Sequence, residues 1–203
     1  MRRLLLVANL LVGAGILILA GPATRVATGF YAQARAVAPT PAARRTDEVR
    51  RPAEGESLGR LEFPRLGLDL VVFEGVSDAT LRKGPGHLSR TALPGGPEDG
   101  GNCVIAGHRD SFFRRLADAR KNDLVRFHGP SGTSTYRLDE RRIVKPEDVS
   151  AVAPTRDARL TLVTCYPFSW SGSAPYRLVW KAERIAPNPP QAEDFRIARR
   201  QPL

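Results

Sequence analysis

From Leu58 to about Ile185 the apolar positions fall in short, β-branched runs separated by Gly and Pro, a pattern that predicts strands joined by tight turns. The runs are Leu58–Phe63, Leu68–Glu74, Cys103–Ala106, Asp123–Phe127, Ser134–Val144, Leu160–Thr164 and Tyr176–Ala182. Gly84-Pro85-Gly86, Pro94-Gly95-Gly96, Gly100-Gly101 and Gly129-Pro130 punctuate them. Helical periodicity is confined to Asp78–Leu81 and to Ser111–Ala119, the latter with Phe112, Leu116 and Ala119 on one face. Seven or eight strands in about 130 residues predict an all-β fold, either a closed barrel or a sandwich.

The chain ahead of this region follows another pattern. Leu4–Ala20 carries no charge and the uncharged stretch continues to Thr24, so at 1.5 Å per helical residue it measures roughly 26–32 Å, about one hydrocarbon core. Residues 1–24 are therefore expected to form a membrane anchor, with a cleaved signal peptide as the alternative, because Gly21-Pro22-Ala23 offers small residues for cleavage. Arg2 and Arg3 precede the span and Arg25 and Arg35 follow it, so charge alone does not orient it. Residues 25–57 are expected to be a spacer rich in Pro, Ala, Arg and Glu, with part of Ala27–Ala36 continuing the helix. The folded domain is expected over 58–186 and a polar, basic tail over 187–203.

Charge adds a partner question. The 203 residues hold 31 basic and 21 acidic side chains, a net charge of +10. The spacer and the tail carry part of the excess, which fits a tether beside anionic lipid. No aromatic-and-basic reader motif accompanies it, so no nucleic-acid partner is expected. Two cysteines exclude a disulfide-stapled miniprotein, and 42% hydrophobic residues exclude a disordered chain.

Candidate chemistry sits in three segments. In Gly101–Asp110, GNCVIAGHRD, an apolar strand ends in Gly-His-Arg and places His108 at its mouth. In Leu160–Phe168, LTLVTCYPF, a second apolar strand delivers Cys165 before a loop rich in Pro, Ser and Gly. In Ala174–Trp180, APYRLVW, Arg177 is a lone charge in an apolar strand. A thiol, an imidazole and a guanidinium at strand ends suit acyl transfer: the Cys attacks, the His moves the proton, and the Arg holds charge developing on the carbonyl oxygen. An inert, buried strand Cys is the competing reading. His87 is expected to be a structural turn residue and His128 to face solvent in a polar turn. Arg109 is expected to pair with Asp110 or Asp99, and Trp170 either to line a substrate groove or to cap the barrel. No His, Cys and carboxylate set has metal spacing, so no metal or cofactor is expected; Glu98-Asp99 and Glu147-Asp148 leave calcium open.

Together these segments resemble the sortases, membrane-anchored cysteine transpeptidases of bacterial surfaces. TLVTCYPF at Thr161–Phe168 is similar to their cysteine signature, GNCVIAGHRD to their histidine strand, and YRLVW at Tyr176–Trp180 to their arginine strand. GRLEFPRLGLDLVVFEG at Gly59–Gly75, LRKGPGHL at Leu81–Leu88 and LPGG at Leu93–Gly96 extend the likeness. The compact chain and the CYPF ending look most like the sortases of Gram-negative proteobacteria. Lys121-Asn122-Asp123, where a Gly-Asp turn is usual, and Cys103, where an aliphatic is usual, are departures.

The resemblance implies an eight-stranded β-barrel and catalysis by His108, Cys165 and Arg177, with Thr164, Tyr166 and Trp170 near substrate. It implies an exported substrate protein with a C-terminal LPxTG-like sorting signal, cut through a Cys165 thioester and passed to an amine of the cell envelope or to water. The catalytic domain would lie on the extracytoplasmic side of the inner membrane, held by the N-terminal helix. Two alternatives stay open: a thiol peptidase on the same fold that only hydrolyses, and a non-catalytic exported domain whose cysteines form a disulfide.

Strand alternation bears on the last alternative. Cys103 lies five residues before His108, so in a regular strand the two side chains point to opposite faces, unless a bulge at Gly107 shifts the count. Cys103 is then an inert core thiol that cannot bridge to Cys165. Cys103→Val is expected to retain turnover at a cost of about 1 kcal/mol. Mass spectrometry under non-reducing conditions should find two free thiols, with Cys165 alkylating faster; a Cys103–Cys165 cross-linked peptide would overturn the face assignment.

Overall fold

The structure, a computed structural model, describes residues 32–33, 52–96 and 101–185. The expected anchor over 1–24, nearly all of the spacer before Pro52 and the tail over 187–203 lie outside the described residues. Among the described residues no helix is long and apolar enough to cross a membrane.

Eight strands close into a barrel rather than a sandwich. They are β1 (Ser57–Phe63), β2 (Leu68–Glu74), β3 (Gly86–His87), β4 (Gly101–Gly107), β5 (Leu124–Gly129), β6 (Gly132–Val144), β7 (Ala158–Tyr166) and β8 (Tyr176–Ile185). The order around the barrel is β1-β2-β3-β4-β7-β8-β6-β5, and β5 pairs with β1 to close it. β2–β3 and β4–β7 are parallel, and the other pairs are antiparallel. The sequence pattern did not show β3, since two residues cannot display an alternation. It forms where Gly86 lies against the Gly75 carbonyl, so closely that a Cβ there would meet the oxygen at 2.1 Å.

Period-two alternation fills the interior. Leu160 and Leu162 of β7, Leu178 and Trp180 of β8, and Cys103 and Ile105 of β4 point into one buried cluster. Removing such side chains from water drives the closure, at roughly 25 cal/mol per Å² of apolar surface. Cys103 is buried and free, and burial pushes its thiol pKa upward. The β4–β7 register runs without a shift from Gly101 to Gly107, so no bulge moves Cys103 toward the other face.

The connection from β6 to β7 carries a 3-10 turn, Val149–Val152, that folds over the outer face of the sheet. There Ala151, Val144 and Val179 form a second, small cluster with Val163 packed on it.

Two local expectations are corrected and one is refined. Ser111–Ala119 is not an amphipathic α-helix: its helical part is a 3-10 helix at Arg114–Asp118, and Phe113, not Phe112, is the fully buried ring. The helix's bonds span three residues, Leu116 N–H to Phe113 O at 3.0 Å and Ala119 N–H to Leu116 O at 3.3 Å, which is the tighter 3-10 winding. His128 does not face solvent freely. It belongs to β5 and is half-buried, with its ring nitrogens 2.9 Å from Glu62 Oε2 and 2.9 Å from Thr133 Oγ1. His87 is structural as expected, but as a buried strand residue: Nδ1 lies 2.7 Å from Glu74 Oε2, and Nε2 lies 2.9 Å from Ala92 O.

The short helix α1 (Asp78–Leu81) starts at Ser77, whose Oγ accepts from Thr80 N–H at 3.3 Å. Gln33, in a helical position, is fastened to β2. Val71 N–H donates to its Oε1 at 2.6 Å, and its Nε2 donates to Val71 O and Lys83 O at 3.0 Å each. At least this part of the expected spacer is bound to the barrel.

The turn into β5 rests on a buried carboxylate. Asn122 takes φ 73, and Asp123 accepts from Arg65 through Nε and Nη2 and from Arg120 N–H at 2.7 Å. The Arg65 guanidinium holds the Asp123 carboxyl below its ordinary range. A depressed folded pKa gives stability that is present above the unfolded value and is lost as pH falls through the folded one. Asp123→Asn is expected to lower stability at pH 7 by roughly 1.5–3 kcal/mol, the range for a hydrogen bond to a charged group. It should also flatten the acid limb of the stability profile below the usual carboxylate range, as urea unfolding at several pH values would show.

Candidate active site

Three neighbouring strands bring the sequence-predicted residues together. In the antiparallel β7–β8 pair Cys165 stands directly opposite Arg177. Such partners share a face, with Cβ atoms about 4.5–5.5 Å apart. In the parallel β4–β7 pair Gly107 is the partner of Thr164. One further step places His108 beside Cys165, on strands about 4.8 Å apart. His108, Cys165 and Arg177 thus form a row across β4, β7 and β8. Alternation puts the row on the outer face, opposite the Leu160, Leu162 and Leu178 side chains that fill the barrel. All three are partly buried, so they are reachable from solvent yet supported.

The next row toward the barrel's middle is Ala106, Val163 and Val179. Ala106 and Val163, both partly exposed, make an apolar floor beside the thiol, while Val179 lies buried under the connection bearing Ala151. That connection is pinned from below. Asn102 Nδ2 donates to Ala153 O at 3.0 Å, while Thr161 Oγ1 donates to Asn102 Oδ1 at 2.6 Å.

Arg177 Nη1 donates to Ala174 O at 3.2 Å and to Tyr176 O at 3.0 Å. Its Nε and Nη2 have no partner among the described residues, so most of the fork remains available to an oxyanion. Thr164, expected near substrate, faces the interior at 3% exposure. Its Oγ1 donates to Gly107 O at 2.7 Å, which locks the residue before the histidine to the residue before the cysteine. Tyr166 is half-buried, edge-on to Phe168 at 6.2 Å between ring centres, with the Arg141 guanidinium 6.0 Å from its own ring centre. Trp170 lies 49% exposed on the loop after β7 and does not cap the core.

Arg109 makes no ion pair with Asp110, and Asp99 is outside the described residues. Its Nη2 reaches instead to Trp170 O at 2.7 Å and Gly172 O at 2.9 Å. Backbone carbonyls carry no sequence signature, so side-chain reasoning had no means of finding them. Phe113 was also missed as part of the site. Its ring lies so close to Gly107 that a Cβ there would approach it to 2.8 Å. The glycine before His108 was the available signal.

A cavity of about 350 Å³ lies at the opposite end of β4, beside Gly101, Cys103, His87 and Tyr136, and touches none of the row. Several of its polar groups bond within the fold, as in the Glu74–His87 contact and the bond from Gly95 N–H to Tyr136 Oη. Among the described residues no group of His, Cys, Asp and Glu is placed to hold a metal. Asp148 instead caps the Val149–Val152 turn through Ser150 N–H at 3.0 Å.

A closed eight-stranded barrel with Cys, His and Arg abreast on three adjoining strands defines the class of the sortase fold. Residues 61–185 match the sortase domain, and the chain belongs to the sortase family of cysteine transpeptidases. It is 35% identical over 136 residues to sortase D of Bacillus subtilis, covering 66% of this chain and 67% of the relative. Sortase A of Listeria monocytogenes is 29% identical over 112 residues, which span 53% of this chain but only 49% of the relative. Among solved structures, sortase C of Clostridium perfringens with its C-terminal cell wall sorting motif superposes with a TM-score of 0.62 at 26% identity, over 70% of this chain and 78% of that one. These relatives are from Gram-positive bacteria and give no support to a proteobacterial type.

Gly107→Ala is expected to force the Phe113 ring or the His108 strand end to shift. The cost should be about 1–3 kcal/mol, typical of overpacking, with kcat/KM for a sorting peptide falling more steeply than stability. Thermal unfolding and peptide kinetics on the same preparation would separate the two effects.

Proposed function

We propose that His108, Cys165 and Arg177 cut an LPxTG-like sorting signal in an exported protein and pass its acyl part to an amine. The observation that carries this reading is the register: Cys165 opposite Arg177, and Gly107 opposite Thr164. It sets a nucleophile between a proton carrier and a fork of donors. The peptide lies along the Ala106–Val163 floor with its scissile carbonyl over Cys165. The sulfur attacks the carbonyl carbon, and charge gathers on the oxygen, where the free Nε and Nη2 of Arg177 meet it. His108 gives a proton to the departing amine, the C–N bond breaks, and a thioester remains. An entering amine then attacks the same carbon and loses its proton by way of His108. The C–S bond breaks and the thiol is restored.

The sorting-motif structure of the Clostridium perfringens relative supports a sorting-signal substrate for this chain. The uncharged Leu4–Ala20 stretch supports an anchor that holds the barrel on the extracytoplasmic side, with a cell-envelope amine as acceptor. A proteobacterial type rests on the compact chain and on Cys165-Tyr166-Pro167-Phe168 alone.

Cys165→Ala and His108→Ala are each expected to abolish turnover of an LPxTG-like peptide with little change in far-UV circular dichroism or Tm; undiminished turnover in either removes the mechanism. Arg177→Lys should lose roughly 10²-fold or more in kcat/KM, the scale of one oxyanion donor. An ammonium does not reproduce the planar fork. Wild-type kinetics in that variant would reduce Arg177 to a structural role.

A further inference from the structure

The loop that follows Cys165 is held from both sides by arginines. Arg177 bonds to Ala174 O at its far end, and Arg109, the residue after His108, bonds to Trp170 O and Gly172 O nearer its middle. The Arg109 Nη1 is buried at this junction. Gly172 takes φ +80, a left-handed conformation that favours glycine. Trp170 Nε1 donates to Ser173 O at 3.0 Å, so the indole is folded onto its own loop while half of its surface stays open.

The apolar floor lies on one side of the catalytic row only. On the other side the strands end, and the space is bounded by the turn after His108 and the loop after Cys165, the two segments that Arg109 joins. A peptide resting on the floor directs its leaving amine toward that space. The entering amine attacks from where the first departed, so it uses the same space.

We propose that Arg109 is a positioning residue for the second half-reaction, holding the Trp170 loop against the His108 strand end to form the acceptor side of the cleft. In that step the amine nitrogen bonds to the thioester carbonyl carbon, the C–S bond breaks, and the amine proton passes by way of His108 to the Cys165 sulfur. When the loop is released, water takes the place of the amine, a C–O bond forms instead, and the acyl group leaves as a carboxylate. This inference rests on the sortase reading of the same site.

The test uses the full chain, LPxTG-type peptides as donors, and two acceptor probes, hydroxylamine and triglycine. Hydroxylamine is small enough to need no shaped acceptor side, whereas triglycine must be oriented. Arg109→Gln and Trp170→Ala are each expected to form the thioester, trapped by mass spectrometry, at a rate within about threefold of wild type. Both should raise the triglycine KM at least about fivefold and shift products toward hydrolysis, with transfer to hydroxylamine little changed. Arg109→Lys should recover part of the loss, because an ammonium carries the charge without the fork. Trp170→Ala alters an exposed position and carries the test even if Arg109→Gln fails to fold. An unchanged triglycine KM in the folded variants, or an equal loss in thioester formation, overturns the inference. A wild-type chain that forms no thioester with any LPxTG-type peptide overturns the sortase reading, and this inference with it.

Discussion

A slip of β4 against β7 by one residue would turn Cys103 and Ile105 out of the barrel and carry His108 to the face opposite Cys165. The chemistry therefore depends on the same register that buries the core. That register is set first by apolar side chains, Cys103 and Ile105 on one strand and Leu160 and Leu162 on the other, all of which need the interior. Hydrogen bonds then fix it at both ends. Thr161 Oγ1 bonds to Asn102 at the start of the pair, and Thr164 Oγ1 bonds to Gly107 O at the finish. Parallel strands cannot be joined by a tight turn, so β4 and β7 meet only after a long excursion through β5 and β6. These side-chain contacts take the place that a hairpin turn would have in fixing alignment.

The polar groups around the site mostly position backbone. Asn102 ties down the connection over Val179, Arg109 ties down the loop beyond the thiol, and Thr164 ties the two catalytic strand ends together. The first two bonds are to carbonyls of segments that have no regular structure of their own, and the third is to the last carbonyl of β4. A buried carbonyl left without a donor costs about 1–3 kcal/mol, so these side chains stabilise the loops and shape the cleft at once. Arg177 differs, since only one of its nitrogens is used in this way and the rest of the fork has no partner among the described residues.

Much was legible without coordinates. Alternation of apolar residues in β1, β2, β6, β7 and β8 gave the strands, and the Gly-His and Thr-Cys endings marked where chemistry sits at strand mouths. The parity of Cys103 and His108 separated an inert thiol from a reactive face. What was illegible shares a cause. β3 is too short to alternate, Phe113 is buried in place of Phe112 through contact with Gly107 across a turn, and Thr164, which the resemblance put near substrate, turns inward to bond Gly107 O.

The sequence by itself determined which residues alternate inward and outward, and hence an all-β domain, barrel or sandwich, whose thiol, imidazole and guanidinium lie at strand ends. Those are local properties, because a strand's period of two is fixed by its own backbone. Only the tertiary structure decided which strands became neighbours. His108, Cys165 and Arg177 stand abreast because β4, β7 and β8 adjoin in the closed barrel, an order that no local pattern encodes. The partners of Arg109 were decided there too. Its bonds run to the carbonyls of Trp170 and Gly172, groups that every residue carries and that acquire an address only when the chain has folded.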